Sequence, residues 1–280
     1  MALESRLSTF IAHDGDNIAV QDWPIDKGQK LRGVVLIVHG LGEHAGRYHH
    51  VAQRLNEWGF AVRGYDLHGH GESGGARGGM PTDTRMLDDL ADILDSTRRQ
   101  LTPSTPVIVL GHSMGGLIAA RFVQLNKLPV EGLVLSSPAL AADLNPVQKL
   151  LLAVAPRVAP NLRVANSLDV NKLSHDPKVV AAYKADKLVH DRISARLGRF
   201  IFDAGTAVVQ GAARWKVQTL LMYAGQDHLV SPSGSRAFAA AAPAQVLTSQ
   251  CFDGLYHEIF NELEAEPVFG VLKGWLDARF

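Results

Sequence analysis

The sequence predicts an α/β domain, a mostly parallel sheet with helices on both faces, carrying one helical insertion. Short apolar runs alternate with helical patterns along most of the chain, as parallel sheets with crossover helices require. One run, Val34-Val-Leu-Ile-Val38, is apolar throughout, the mark of a strand buried on both faces. The alternation lapses once, over 141–215, where no buried-strand signal occurs.

Taken in order, Ser8–Ala12 and Ile18–Trp23 read as short β-strands ahead of Val34–Val38. Tyr48–Trp58 has a helical period and stops at Gly59, where a left-handed residue ends a helix without Cβ strain. Phe60–Tyr65 is the next strand, and the Gly-rich stretch His68–Gly79 leads to a helix over Arg85–Gln100. Val107–Leu110, Met114–Leu125 and Leu133–Leu135 follow as strand, helix and strand. Beyond the insertion, Thr219–Tyr223, Ser233–Ala241 and Gln245–Phe252 repeat the rhythm, and Pro267–Ala278 closes as a helix.

The insertion reads as three helices. Asn145-Pro146 resembles a cap followed by proline in the first turn, with Val147, Leu150, Leu151 and Val154 on one face, and Pro156 and Pro160 as stops. Asp176-Pro177 opens a second helix in the same way, running to about Asp186. Ile193, Leu197, Phe200 and Ile201 mark the third. The expected division is a core of 1–140 and 216–280 with a helical insertion at 141–215.

Composition excludes several classes. A chain of 280 residues, 46% hydrophobic and 20% charged, has enough material for one large core without staples. The single cysteine, Cys251, excludes an intrachain disulfide framework and a Cys-rich metal site. Lys and Arg number 28 and so do Asp and Glu, which argues against a nucleic-acid partner. The balance is uneven along the chain, because 141–215 carries 11 Lys and Arg against 6 Asp and no Glu. No apolar run is long enough to span a bilayer, and Glu4 and Arg6 interrupt what a signal peptide would need. A cytoplasmic protein is expected, with peripheral membrane or lipid-aggregate contact through the basic insertion as a further expectation. The histidines His44, His49, His50, His68 and His70 lack a carboxylate-rich pattern, so neither metal nor cofactor is expected.

The chemistry centres on Gly111-His-Ser-Met-Gly115, a G-x-S-x-G nucleophile elbow. Ser113 follows a predicted strand and opens a predicted helix, so a sharp turn exposes its hydroxyl near helix-terminal N–H groups. Gly71-Glu-Ser-Gly-Gly75 fits the same pattern, but Ser73 lies in Gly-rich loop sequence and reads as a structural turn residue. A serine needs a base oriented by a carboxylate, in the chain order Ser, acid, His. Asp227 follows the strand Thr219–Tyr223, and His257 follows the strand ending at Phe252, so both fall on the sheet edge that carries sites. His228, Asp203 and Asp253 are weaker candidates. The turn His39-Gly-Leu-Gly-Glu43 follows the first buried strand, and the backbone N–H groups of Leu41 and Met114 are the expected oxyanion donors.

At these residues the sequence resembles the α/β-hydrolase superfamily, and within it the monoacylglycerol lipase group of serine hydrolases. The likeness covers His39–Tyr48, Tyr65–Ser73, Gly111–Gly116, Gly225–His228 and Tyr256-His257. It implies an α/β-hydrolase fold, the triad Ser113, Asp227 and His257, and a head-group pocket formed by Glu43, Arg47 and Tyr183. It also implies a mobile cap that shapes an acyl-chain tunnel. The activity implied is hydrolysis of a monoacylglycerol or similar single-chain lipid ester, with lysophospholipase and short-chain carboxylesterase as alternatives and a non-enzymatic binding protein as a remote one. The chain departs from the group at Leu41, where a smaller residue is usual, and at Phe260, where mammalian members have histidine. It departs again at Tyr183-Lys-Ala-Asp-Lys-Leu188, where a proline commonly precedes the leucine.

Overall fold

The computed structural model describes residues 5–142 and 146–280. In chain order the elements are β1 (Arg6–Ile11), β2 (Asn17–Trp23), β3 (Gly33–Val38), α1 (His49–Glu57), β4 (Phe60–Tyr65), α2 (Arg85–Arg98), β5 (Val107–His112), α3 (Met114–Gln124) and β6 (Gly132–Ser136). The chain then runs through α4 (Pro146–Val158), β7 (Arg163–Ala165), α5 (Pro177–Ala185), β8 (Arg192–Ser194) and α6 (Ala195–Gly211). It ends with β9 (Thr219–Ala224), α7 (Pro232–Ala241), β10 (Leu247–Phe252) and α8 (Glu266–Asp277).

Eight strands form one sheet in the order β1-β2-β4-β3-β5-β6-β9-β10. β1 and β2 form an antiparallel hairpin that joins β4 antiparallel, and every later pairing is parallel. Side-chain alternation divides the core into two layers. Leu36, Val38, Val109, Leu133 and Leu135 point to the face covered by α2, α3, α6 and α7. Val35, Ile37, Ile108, Leu110 and Val134 point to the face covered by α1 and α8. Both layers are buried and apolar, which explains the unbroken apolar run in β3. The parallel register brings the carboxyl ends of β3, β5, β6, β9 and β10 to one edge, where the loops carrying the candidate site emerge.

The segment between β6 and β9 departs from the sequence reading in three places. α4 runs through Pro156 to Val158 instead of stopping at it. Proline removes only one hydrogen bond this close to a helix end, and Ala159 N–H still donates to Ala155 C=O at 2.8 Å. The expected apolar face of α4 is also turned: Leu150 and Val154 are 64% and 48% exposed, while Leu152, Ala155 and Pro156 line a cavity. The cap residue Asn145 and the side chains of Val147 and Leu151 lie outside the described residues. Third, Ile193 belongs to β8, which pairs with β7 in a two-stranded antiparallel ribbon. Strands of three residues, β7 exposed throughout, leave no periodic apolar signal to read.

α5 forms as its sequence suggests, with the Asp176 carboxylate accepting from Lys178 N–H at 2.8 Å and Pro177 in the first turn. α6 is anchored rather than perched. Leu197, Ala204 and Val208 join the same buried layer as α3, and Gly205 lies so close to the Leu140 carbonyl that a Cβ would meet it at 2.8 Å. Among the described residues, no helix is long and apolar enough to cross a membrane.

Candidate active site

Ser113 stands between β5 and α3 with φ 53° and ψ −119°, a left-handed conformation that costs a non-glycine residue about 1–3 kcal/mol. Its neighbours hold it there. Its N–H donates to Ser136 C=O at 2.9 Å, and its carbonyl accepts from Ala139 at 3.0 Å and Leu117 at 3.1 Å. The flanking glycines are required sterically: a Cβ on Gly111 would meet Gly115 O at 2.5 Å, and one on Gly115 would collide with the carbonyls of Val38 and His39. The second G-x-S-x-G does different work. Ser73 Oγ donates to Asp66 C=O at 2.5 Å and accepts from Ala19 N–H at 2.9 Å, so that serine ties two strands' loops together.

The turn after β3 is shaped by polar side chains. His39 accepts from Leu67 N–H at Nε2 (2.9 Å), which leaves Nδ1–H to donate to Gly40 C=O at 2.8 Å. Gly40 N–H donates to Glu43 Oε1 at 2.6 Å, and Gly42 takes φ 79° while its carbonyl accepts from His190 N–H at 2.9 Å. Leu41 N–H and Met114 N–H find no acceptor among the described residues, and both residues line the cavity at Ser113. Met114 opens α3, where backbone N–H groups have no helical partner and the helix dipole favours negative charge.

Asp227 and His257 meet from two different loops. Asp227 Oδ1 accepts the N–H groups of Leu229 (2.9 Å) and Val230 (3.0 Å), which aims Oδ2 at His257 Nδ1, 2.6 Å away. A carboxylate can only accept, so Nδ1 carries the proton and Nε2 is left as a base. Both side chains are almost wholly buried. Burial opposes a charged His257, but the Asp227 carboxylate and its hydrogen bond outweigh burial and hold the imidazole above its ordinary pKa. Burial likewise opposes the ionised Asp227, and the His257 charge with three hydrogen bonds outweighs it. His112 packs 4.7 Å from the His257 ring, centroid to centroid. Burial first, then the His257 charge, lowers its pKa to about 4, so it stays neutral beside an imidazolium. His257 and Ser113 line one cavity, without a direct hydrogen bond between them among the described residues.

The expected head-group residues also converge. Arg47 donates to Glu43 Oε2 at 2.5 Å and stacks its guanidinium 4.7 Å over the Tyr183 ring. Tyr48 OH donates to Glu43 Oε1 at 2.7 Å. Burial would raise the Glu43 carboxyl, but Arg47 leads a set of neighbours that bring it down to about 2. Sequence reasoning missed Glu258, which binds Arg47 bidentately with both contacts at 2.7 Å. Its only sequence signal is its place directly after His257. The weaker candidates are occupied elsewhere: Asp203 pairs with Arg199, Asp253 accepts from Cys251 Sγ, and His228 packs edge-on against Tyr256. Among the described residues no group of three or more His, Cys, Asp or Glu side chains is placed to hold a metal ion.

Two cavities join at Ser113. One, of about 340 Å³, is lined by Glu43, Tyr183, His257 and Glu258. The other, of about 530 Å³, runs beneath α4 and α6 among Leu140, Leu152, Ile201 and Phe202. Leu41, Ser113, Asn166, Leu168 and Leu229 line both. The first cavity is mixed, its polar side chains facing Leu173 and Val189, and the second is chiefly apolar; a hydroxyl where the more polar chamber meets the apolar one can attack a molecule with one end of each kind.

Known proteins resemble this chain over nearly its whole length. The chain is 36% identical over 271 residues to the monoacylglycerol lipase of Mycolicibacterium smegmatis, covering 96% of this chain and 95% of that one. It is 32% identical to Phospholipase YtpA of Bacillus subtilis, covering 90% and 97%. The crystal structure of Paleococcus ferrophilus monoacylglycerol lipase superposes with a TM-score of 0.84 at 34% identity, covering 94% and 99%. Residues 29–264 match the family described as serine aminopeptidase, S33, and the chain, with its eight-stranded sheet and flanking helices, belongs to that family of α/β-hydrolase fold.

Proposed function

We propose that this protein is a serine ester hydrolase that cleaves monoacylglycerols or similar single-chain lipid esters through an acyl-enzyme intermediate. The observation that carries this reading is the meeting of the polar and apolar chambers at Ser113, backed by the His257–Asp227 pair. The acyl chain occupies the apolar chamber beneath α4 and α6, and the glycerol occupies the polar one beside Glu43, Arg47 and Tyr183. His257 Nε2 takes the Ser113 proton as the oxygen attacks the ester carbonyl, and Asp227 stabilises the imidazolium. The N–H groups of Leu41 and Met114 receive the oxyanion. The imidazolium then protonates the leaving alcohol, and His257 activates the water that releases the acid.

The charge arrangement supports an ester over a peptide with a free amine. Glu43 and Glu258 are both engaged by Arg47, and Asp186 is held by His44 at 2.8 Å, so these carboxylates of the polar chamber are already paired. The likeness to a phospholipase favours a lysophospholipid as second reading. Against it, the Arg47 guanidinium is enclosed by two carboxylates, which weakens it as a phosphate partner.

The segment 141–215 acts in this proposal as a cap that touches lipid. Leu150, Val154 and Val158 of α4, with Leu162 and Val164, are all about half exposed or more. They stand on a segment whose formal charge is +5. A kcat/KM panel over monoacylglycerols, lysophospholipids and simple esters of graded chain length tests the substrate, and Ser113→Ala tests the nucleophile. Medium or long monoacylglycerols should lead the panel; equal turnover of lysophospholipids, or near-normal activity in Ser113→Ala, would overturn the assignment.

A further inference from the structure

A third cavity, of about 500 Å³, lies away from Ser113, between the start of α2, the end of α3, α4 and α6. Four arginines line it, Arg121, Arg157, Arg196 and Arg199, against the aspartates Asp83 and Asp203. Arg196 reaches Asp83 at 3.2 Å and Arg199 reaches Asp203 at 2.5 Å. Arg121 and Arg157 have no carboxylate partner among the described residues; Arg121 donates to Gln124 at 2.5 Å, and Arg157 donates to its own helix at Ala153 C=O. Beside these two cations runs an apolar lining of Leu87, Leu125, Leu152 and Phe200. Guanidinium groups that have no carboxylate partner among the described residues and lie next to hydrocarbon complement an anion with an apolar tail, and the arginine fork suits a carboxylate.

The groove is next door to the acyl chamber. Leu152 and Pro156 line both, so one turn of α4 is the wall between them. That turn is weakened, because Pro156 has no N–H to donate to the Leu152 carbonyl one turn earlier. We infer that this groove is a second site, which takes a free fatty acid with its carboxylate on Arg121 and Arg157 and its tail along Leu87, Leu125 and Phe200. Its occupancy is transmitted to the acyl chamber through the Leu152–Pro156 turn, which makes the groove a sensor of product. The inference rests on the proposed ester hydrolysis for the origin of the acid, not for the chemistry of the groove.

The test separates the two chambers. A long-chain alkyl fluorophosphonate reacted at Ser113 fills the acyl chamber, and dodecanoate below its micellar concentration is then titrated calorimetrically. One equivalent should bind, and Arg121→Gln with Arg157→Gln should weaken it by about tenfold or more. In unlabelled enzyme hydrolysing p-nitrophenyl butyrate, dodecanoate should lower kcat as well as raise KM, and the double variant should keep only the effect on KM. No binding to the labelled enzyme, equal binding by the double variant, or equal binding of dodecanol overturns the inference. So does loss of binding to phosphatidylglycerol vesicles in the double variant without any dodecanoate site, which assigns the groove to a membrane surface. Failure of the probe to label Ser113 overturns the proposed function instead. The groove is then read in unlabelled enzyme from whether dodecanoate binding depends on Arg121 and Arg157.

Discussion

Replacing Asp227 by Asn tests the proposed division of labour between acid and base. The Oδ2–Nδ1 contact of 2.6 Å is a charge-assisted hydrogen bond between two nearly fully buried side chains. Removing the charge leaves an imidazolium that must form in a buried pocket, with burial opposing it and only the Glu258 and Glu43 carboxylates left to favour it. Breaking a buried charged pair costs about 3–5 kcal/mol, and here the cost falls on the transition state, where His257 is charged. A fall in kcat of about 10²–10⁴ is expected. The pH profile moves in a definite direction. His257 must be neutral to accept the Ser113 proton, and its raised pKa places the acid limb of the wild-type profile above 6.5. Without the carboxylate, burial dominates, so the limb of the variant should shift to lower pH while the plateau drops. The same pair sets a stability window. The contribution of His257 is complete below 6.5 and is lost as pH rises through its folded pKa; that of Asp227 is present above 3.8 and is lost as pH falls below it. Stopped-flow hydrolysis of p-nitrophenyl butyrate against pH measures limb and plateau. Activity within about tenfold of wild type and an unmoved limb would refute the reasoning.

Gly115→Ala should be strongly destabilising, by about 3 kcal/mol or more, because its Cβ would be forced into the Val38 and His39 carbonyls; thermal unfolding measures it. Gly198→Leu should lower kcat/KM for long-chain esters about tenfold relative to short ones. A Cβ at Gly198 already meets Leu152 Cδ2 at 3.2 Å and Ile193 Cδ1 at 3.8 Å, so a larger side chain enters the acyl chamber. Arg47→Met should destabilise by about 3–5 kcal/mol, because it leaves Glu43 and Glu258 as buried unpaired carboxylates, and urea titration at pH 7 reads it. Part of that loss should disappear toward pH 4, where the abandoned Glu43 carboxyl takes up a proton; in wild type Glu43, held near 2, remains ionised there.

The sheet was legible because burial leaves a strong trace. β3, β5, β6 and β9 are buried at every position, so each appears as an apolar run with a turn at its end. The turns were legible because they need special residues: Gly59 with φ 89° ends α1, and Gly111 and Gly115 permit the bend at Ser113. The segment 141–215 was read less well, for a definable reason. α4 has apolar residues on more than one side, since one side lines a chamber and another meets solvent, so period alone picks no inner face. Glu258 was invisible because its role depends on Arg47, 211 residues away, and pairing at that distance leaves no local pattern.

The proposed head-group pocket and the proposed catalytic machinery share parts, and that sharing has kinetic consequences. Glu43 shapes the turn of the proposed oxyanion donor through Gly40 N–H, and the same carboxylate is gripped by Arg47 and Tyr48. Arg47 is in turn fixed by Glu258, whose backbone directly follows the proposed base. A chain of short, buried, charge-assisted bonds therefore joins the turn at Leu41, the proposed donor, to the loop that carries His257. Gly40 cannot be relaxed by substitution, since a Cβ there would meet Glu43 Oε1 at 2.9 Å and Ser113 Cβ at 3.2 Å. A pocket that only bound glycerol would affect KM when damaged. This one positions a donor and a base, so Glu258→Gln, which keeps the shape and removes one charge, should lower kcat more than it raises KM. A change confined to KM would show that head-group binding and oxyanion geometry are independent.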